Sequence, residues 1–167
     1  KFAALVSGLQ RTADLYTFTK EHAFESRACM EYAKLLKSQR KLEDSQTHTR
    51  YTGLSVAESM SQCVMLGNAR ALQQLKSDFK ITDKQFWYLR IRTLAQAQDW
   101  NALLELANEK KSPVGYLPFY NAARERGAPN SVLAQIIRKI SDARSRAEKF
   151  AAIGMVNEAA EAAAATK

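Results

Sequence analysis

The feature that most restricts what this chain can fold into is a recurring corner. The stretches MLGNARALQQL, AQAQDWNALLEL and AAIGMVNEAAEAA each end an apolar helical run, turn through a Gly or a Gln-Asp pair, and start a new helix with alanine four or five residues on. Gly67, Gln98, Gly127 and Gly154 are separated by 31, 29 and 27 residues, the length of one helix-turn-helix unit. Small residues at such corners let paired helices approach closely. Each pair then keeps an apolar face that only its neighbour can cover, which predicts an all-α solenoid of stacked helix-turn-helix pairs over residues 1–167. A non-repeating helical domain is the alternative. Six Gly and three Pro in 167 residues, with abundant Ala, Leu, Lys, Gln, Glu and Arg, favour helix in either case.

Local signals place the helices. Runs are expected from about Phe2 to Thr19 and from Ser26 to Leu42, the second with a core stripe of Tyr32, Leu35 and Leu36. A polar loop is expected from Glu43 to Thr52. Ser55-Val-Ala-Glu58 and Thr82-Asp-Lys-Gln85 read as capping boxes opening helices that end at Gly67 and Gln98. Between them a helix runs from Asn68 to about Lys80, and Asp99 caps one reaching Lys111. Lys110 to Tyr120, KKSPVGYLPFY, interrupts the pattern: Pro113 and Pro118 break the helix, Gly115 permits a tight corner, and Tyr116, Phe119 and Tyr120 are positioned to fill the gap between successive pairs. Further helices are expected near 119–126, 129–140, 143–153 and 155–166, with Pro129 in a first turn.

Catalytic and metal chemistry find little support. Gly53-Leu-Ser55-Val-Ala57 approaches a nucleophile elbow, but no strand precedes Ser55 and no histidine follows it, and the capping box accounts for Ser55 and Glu58 together. His22 and His48 are isolated, Cys29 and Cys63 are 34 positions apart, and no glycine-rich phosphate loop exists. No catalytic residue, cofactor or metal is therefore expected. No run is long and apolar enough to cross a membrane and no signal peptide is recognised, so a reducing cytoplasm fits the two cysteines.

Lys and Arg number 25 against 17 acidic residues, a net charge of +8. Such a balance suits nucleic acid, an anionic membrane or an acidic protein surface. The clusters at 34–41 and 138–146 are diluted by acidic neighbours and fall on the solvent face, and no nucleic-acid motif accompanies them. A basic module for nucleic acid or membrane is the alternative to a protein-binding solenoid. In the helix opened by Thr82, Trp87, Ile91, Leu94 and Ala95 share one face, while Gln85, Leu89, Arg92 and Gln96 share the opposite one. A single large apolar residue among polar ones resembles an anchored contact surface.

The strings Asp83-Lys-Gln-Phe-Trp-Tyr-Leu, Gln98-Asp-Trp100 and above all Lys111-Ser-Pro-Val-Gly-Tyr-Leu-Pro-Phe119 resemble the family of C-terminal helical regions of vacuolar protein sorting-associated protein 16. That family supplies a core subunit of the HOPS and CORVET tethering complexes. The resemblance implies a non-catalytic α-solenoid that holds the Sec1/Munc18-family subunit of the complex. Other HOPS and CORVET subunits would be neighbours and SNAREs would be served indirectly, at the surface of vacuolar, lysosomal or late endosomal membranes. It places partner docking in residues 1–98 and continuing repeats in 99–167. Ala28 and Gln85 match docking positions of the family, and Glu31, Tyr32, Lys84, Leu89 and Arg92 complete the expected partner-binding set.

Overall fold

The computed structural model describes residues 1–18, 20–45, 49–109 and 111–164. Among them are ten α-helices and no strand, an all-α solenoid architecture. The helices are α1 (Phe2–Tyr16), α2 (Ala23–Ser45), α3 (Val56–Met65), α4 (Ala69–Asp78), α5 (Asp83–Gln96), α6 (Trp100–Glu109), α7 (Leu117–Glu125), α8 (Asn130–Ile137), α9 (Ala143–Ala152) and α10 (Val156–Ala164). A single 3-10 turn, Lys20–His22, leads into α2. The chain divides into two compact units: Lys1–Cys63 with Asn68–Lys80, and Val64–Gly67 with Ile81–Lys167.

The periodic corners have one geometry. Gly67, Gln98, Gly127 and Gly154 all have left-handed backbones, with φ of 64°, 56°, 75° and 78°. Each donates its amide to the carbonyl three residues back, and the following amide reaches five back: Gly67 to Val64 and Asn68 to Cys63, Gln98 to Ala95 and Asp99 to Leu94, Gly127 to Arg124 and Ala128 to Ala123, Gly154 to Ala151 and Met155 to Phe150, all between 2.9 and 3.1 Å. This is the Schellman motif, which satisfies the last carbonyls of a helix. At Asn68 and Asp99 the residue that closes one helix also opens the next, since their side chains accept the amides of Ala71 and Ala102 at 3.0 Å. No linker intervenes at either corner, and α6 packs directly on α5.

In the first unit α1 and α2 pack through Val6, Ala33 and Leu36, flanked by Phe2 and Leu9. The buried Ser26 hydroxyl donates to the Ala13 carbonyl at 2.9 Å. Gln39 is wholly buried and donates to the Leu54 carbonyl at 2.7 Å and to Ser59 Oγ at 2.9 Å. Helix α2 runs three residues beyond its expected end, and so Glu43 is a helical residue whose Oε1 accepts the amides of Tyr51 at 2.8 Å and Thr52 at 2.6 Å. These bonds seat Tyr51, fully buried with its hydroxyl 3.9 Å from Cys63 Sγ; burial raises the pKa of both groups.

In the second unit each helix from α5 to α7 meets the next, α5 also meets α7, and α6 also meets α8, followed by α8 on α9 and α9 on α10. Trp87, Ile91, Leu94, Leu103, Leu106, Phe119, Tyr120, Ile136, Ile137 and Phe150 form one continuous core. The Pro-Gly-Tyr stretch supplies its centre. Ser112 to Gly115 closes a turn through the Gly115 amide and the Ser112 carbonyl, 3.2 Å, and Phe119 stands edge-on to Trp87 with centroids 6.1 Å apart. Pro118 does not break a helix: it lies in the first turn of α7, where its missing N–H had no intrahelical partner to lose. Pro129 sits one residue outside α8 as its N-cap. The expected ends at Thr19 and Thr166, and His48, fall outside the described residues.

One substitution should act with opposite signs at two glycines. Gly127 holds φ +75° with open space around its absent Cβ, so Gly127→Ala costs only backbone strain, about 1 kcal/mol. Gly8 lies inside α1 with equally open surroundings and no positive φ, so Gly8→Ala should stabilise by about 0.5–1 kcal/mol. Denaturant unfolding of the two variants checks the signs.

Glu43 sets a pH dependence. The Thr52 amide, with that of Tyr51 behind it, holds its carboxyl below the ordinary range, so its contribution is complete above the unfolded pKa and is lost as pH falls through the depressed folded value. Glu43→Gln should cost about 1 kcal/mol at pH 7. The gap to the parent should begin to narrow as the pH falls below the ordinary glutamate range, about 4.3, and close only below the depressed folded value.

Candidate functional site

The residues expected to carry a contact surface fall into two groups, one in each compact unit. On α2, Ala28, Glu31 and Tyr32 stand at i, i+3 and i+4 and all are exposed. The core-facing positions of the helix are Ser26, Ala33, Leu35, Leu36 and Gln39. Tyr32 is thus not part of the core stripe: it is 46% exposed, and alanine at 33 is what lets α1 approach. Ala28 forms a small, flat spot beside an aromatic side chain.

On α5, Trp87, Ile91, Leu94 and Ala95 are buried as the wheel requires, joined by Phe86 and Thr93. Lys84, Gln85 and Arg92 are exposed, whereas Leu89 is half-buried and offers only part of its side chain. Gln85 is committed to the helix start. Its Oε1 accepts the Thr82 amide at 3.0 Å and the Thr82 hydroxyl at 2.8 Å, while Thr82 Oγ1 accepts the Gln85 amide at 3.4 Å, completing the capping box. The other expected box is complete as well: the Ser55 amide donates to Glu58 at 2.7 Å and the Glu58 amide to Ser55 Oγ at 3.2 Å. Those hydrogen bonds lower the pKa of Glu58 and occupy the hydroxyl that a nucleophile would need.

The wheel did not single out Tyr88. It is 52% exposed and, one turn before Arg92, forms the wall of a groove of about 470 Å³ between α5 and α7. The available signal was its i, i+4 spacing to Arg92, masked by Phe86 and Trp87 next to it in an aromatic run. The aromatic residues are not all in core positions either, since Phe18 and Phe24 are 84% and 77% exposed.

The basic clusters are partly paired at short range. Arg40 meets Asp44 at 3.1 Å and Arg144 meets Glu148 at 3.2 Å. Arg146 donates to the Ile140 carbonyl at 2.9 Å, and Lys34 reaches the carbonyl of Asp78 while lying 5.3 Å from the Phe79 ring centroid. Arg90 forks onto both Glu109 oxygens at 3.1 and 2.8 Å beneath the Phe86 and Trp87 rings. Among the described residues, no group of three or more His, Cys, Asp or Glu is placed to hold a metal ion. No helix among them is long and apolar enough to cross a membrane.

Comparison with known proteins places these features in context. The family described as Vps16, C-terminal region, matches residues 1–167. The chain is 39% identical over 156 residues to Protein VACUOLELESS1 of Arabidopsis thaliana, covering 93% of this chain and 18% of that protein. It is 30% identical over 128 residues to the vacuolar protein sorting-associated protein 16 homolog of Dictyostelium discoideum, covering 77% and 15%, and 36% identical over 95 residues to the Drosophila melanogaster homolog, covering 57% and 11%. The chain therefore spans less than a fifth of the length of these relatives.

The two exposed polar residues of α5 should separate in a stability measurement. Gln85→Ala removes half of a capping box and should lower the unfolding free energy by about 1 kcal/mol. Arg92→Ala, with no partner among the described residues, should stay within about 0.5 kcal/mol of the parent.

Proposed function

The chain belongs to the Vps16 C-terminal region family, and from that membership we propose that it is a non-catalytic scaffold docking the Sec1/Munc18-family subunit of a HOPS/CORVET-type tethering complex. In this reading it acts in vacuolar protein sorting at the cytoplasmic face of vacuolar or late endosomal membranes. Other tethering subunits are its neighbours, and SNAREs are reached through the Sec1/Munc18 partner. Residues 1–98 carry the docking surface and 99–167 continue the repeats.

The observation that carries the reading is the division of α2. Its core positions are filled without Ala28, Glu31 or Tyr32, and the small residue beside an exposed tyrosine leaves a surface a partner can approach closely. Lys84, Gln85, Leu89 and Arg92 extend the proposed set on α5, with Gln85 also serving its cap. A basic module for nucleic acid or lipid gains less from the cation clusters than their charge suggests, because Arg40 and Arg144 already have carboxylate partners.

Ala28→Asp tests the proposal in the whole chain, because a cut after Gln98 would strip α6, α7 and α8 from Trp87, Ile91 and Leu94. The added charge on a desolvated contact should cost several kcal/mol of binding in a pull-down or calorimetric titration with the Sec1/Munc18 subunit. Because Ala28 is exposed, the melting temperature should stay within a few degrees, about 1 kcal/mol for a chain of this size. Unchanged binding removes Ala28 from the interface.

A further inference from the structure

The groove between α5 and α7 contains the clearest unspent chemistry in the second unit. Its floor is apolar: Ile91 and Ala95 are 2% and 1% exposed, and Ala122 is half-buried. Above that floor stand the exposed ring of Tyr88 and two guanidinium groups, Arg92 and Arg126, neither of which makes a hydrogen bond or ion pair among the described residues. Arg40, Arg90, Arg124, Arg144 and Arg146 have partners; what sets Arg92 and Arg126 apart from the other unpaired arginines is that they line one groove together. We infer that this groove is a docking site for an acidic, leucine-type peptide segment of a protein partner, with a carboxylate held by Arg92 and Arg126 and an aliphatic side chain against Tyr88, Pro118 and Ala122.

The occupant follows from charge and shape. The side chains that line the groove carry two positive charges and one negative, Glu125. Glu125 and the carbonyl end of α7 both oppose a doubly charged phosphate, whereas a single carboxylate is matched by the paired cations. An apolar floor rimmed by Tyr and Arg is the composition of a protein-binding hot spot rather than of a headgroup site. The groove is built by the second unit alone, shares only Arg92 with the docking set above, and does not require the partner to be a Sec1/Munc18 protein.

The test is an NMR titration of the full chain with acetyl-Glu-Leu-Glu-Leu-amide and its Gln-for-Glu counterpart, alongside inorganic phosphate and phosphatidylcholine vesicles containing phosphatidylserine. The acidic peptide should shift the Tyr88, Arg92 and Arg126 signals saturably, and the neutral one should bind about tenfold more weakly. Arg92→Glu and Arg126→Glu, both at exposed positions, should each weaken binding by a similar factor while leaving the melting temperature in place. Glu125→Gln should tighten it several-fold. Equal shifts with the neutral peptide, shifts confined to other helices, or no shift at all would overturn the inference. So would phosphate or vesicles moving the Arg92 and Arg126 signals as strongly as the peptide, which would assign the groove to an anion or a membrane. Each of these results leaves the Sec1/Munc18 pull-down unaffected, so the two readings fail separately.

Discussion

The architecture depends on left-handed residues placed at helix ends, four of them at the periodic corners. A helix leaves its last carbonyls without partners, and the cheapest local way to satisfy several of them at once is to reverse the chain through one positive φ. Once Gly67, Gln98, Gly127 and Gly154 adopt it, their own amides and those of the next residues are committed to the preceding helix. The chain then has no length in which to wander before the following helix begins. Three of the four corners use glycine, and the fourth uses Gln98, whose side chain donates to the Arg126 carbonyl at 3.0 Å and so recovers part of the backbone cost. The corner that departs from glycine is therefore also one that ties two successive corners together.

Close hairpins make each helix choose a buried face, and the exposed chemistry is what remains. On α5, the neighbours α6 and α7 claim Trp87, Ile91 and Leu94, and the turn at Ser112–Gly115 delivers Phe119 and Tyr120 into the same core. Tyr120 is anchored from outside as well, its hydroxyl accepting from Arg124 at 2.8 Å and its ring lying 5.5 Å from Lys149 Nζ. The small residues Ala95 and Ala122 leave space where larger side chains would have closed the surface, and the groove opens there. Its position thus follows from a choice of side-chain volume on α5 and α7, made within one rigid core.

The sequence displayed the corners, the caps and the face of α5 because each is written in residues a few positions apart: a Gly after an apolar run, a Thr three before a Gln, a Trp four before an Ile. What it displayed poorly were features set by distant neighbours. Tyr32 has the spacing of a core residue, yet α1 packs on the Ala33 side and leaves the ring in solvent. Glu43 looks like the start of a polar loop, yet it is helical, and its carboxylate accepts two amides from residues 51 and 52. Tyr88 sits in an aromatic run whose other members are buried, and only the position of α7 distinguishes it. Pro118 appears as a breaker until it is seen in a first turn. The proposed contact residues on α2 were expected from a resemblance alone; their exposure depended on which face α1 took.

Net charge was the least specific signal, and the structure explains why. A charge of +8 would favour any polyanion if the cations acted together. Here Arg40, Arg90, Arg144 and Lys34 are each within ion-pair range of an acidic side chain, and salt screens what such pairs present to a distant partner. In the proposed peptide site the useful cations are those that lack a local partner and also stand beside apolar surface, because a guanidinium gains most where a ligand can displace water on both sides of it. Arg92 and Arg126 meet both conditions, while the exposed arginines of the 34–41 and 138–146 clusters with carboxylate partners do not. A basic composition is therefore compatible with the proposed protein-binding role: much of the positive charge is solvated or paired within the chain, and in that reading two of its arginines stand where a partner's side chain can use them.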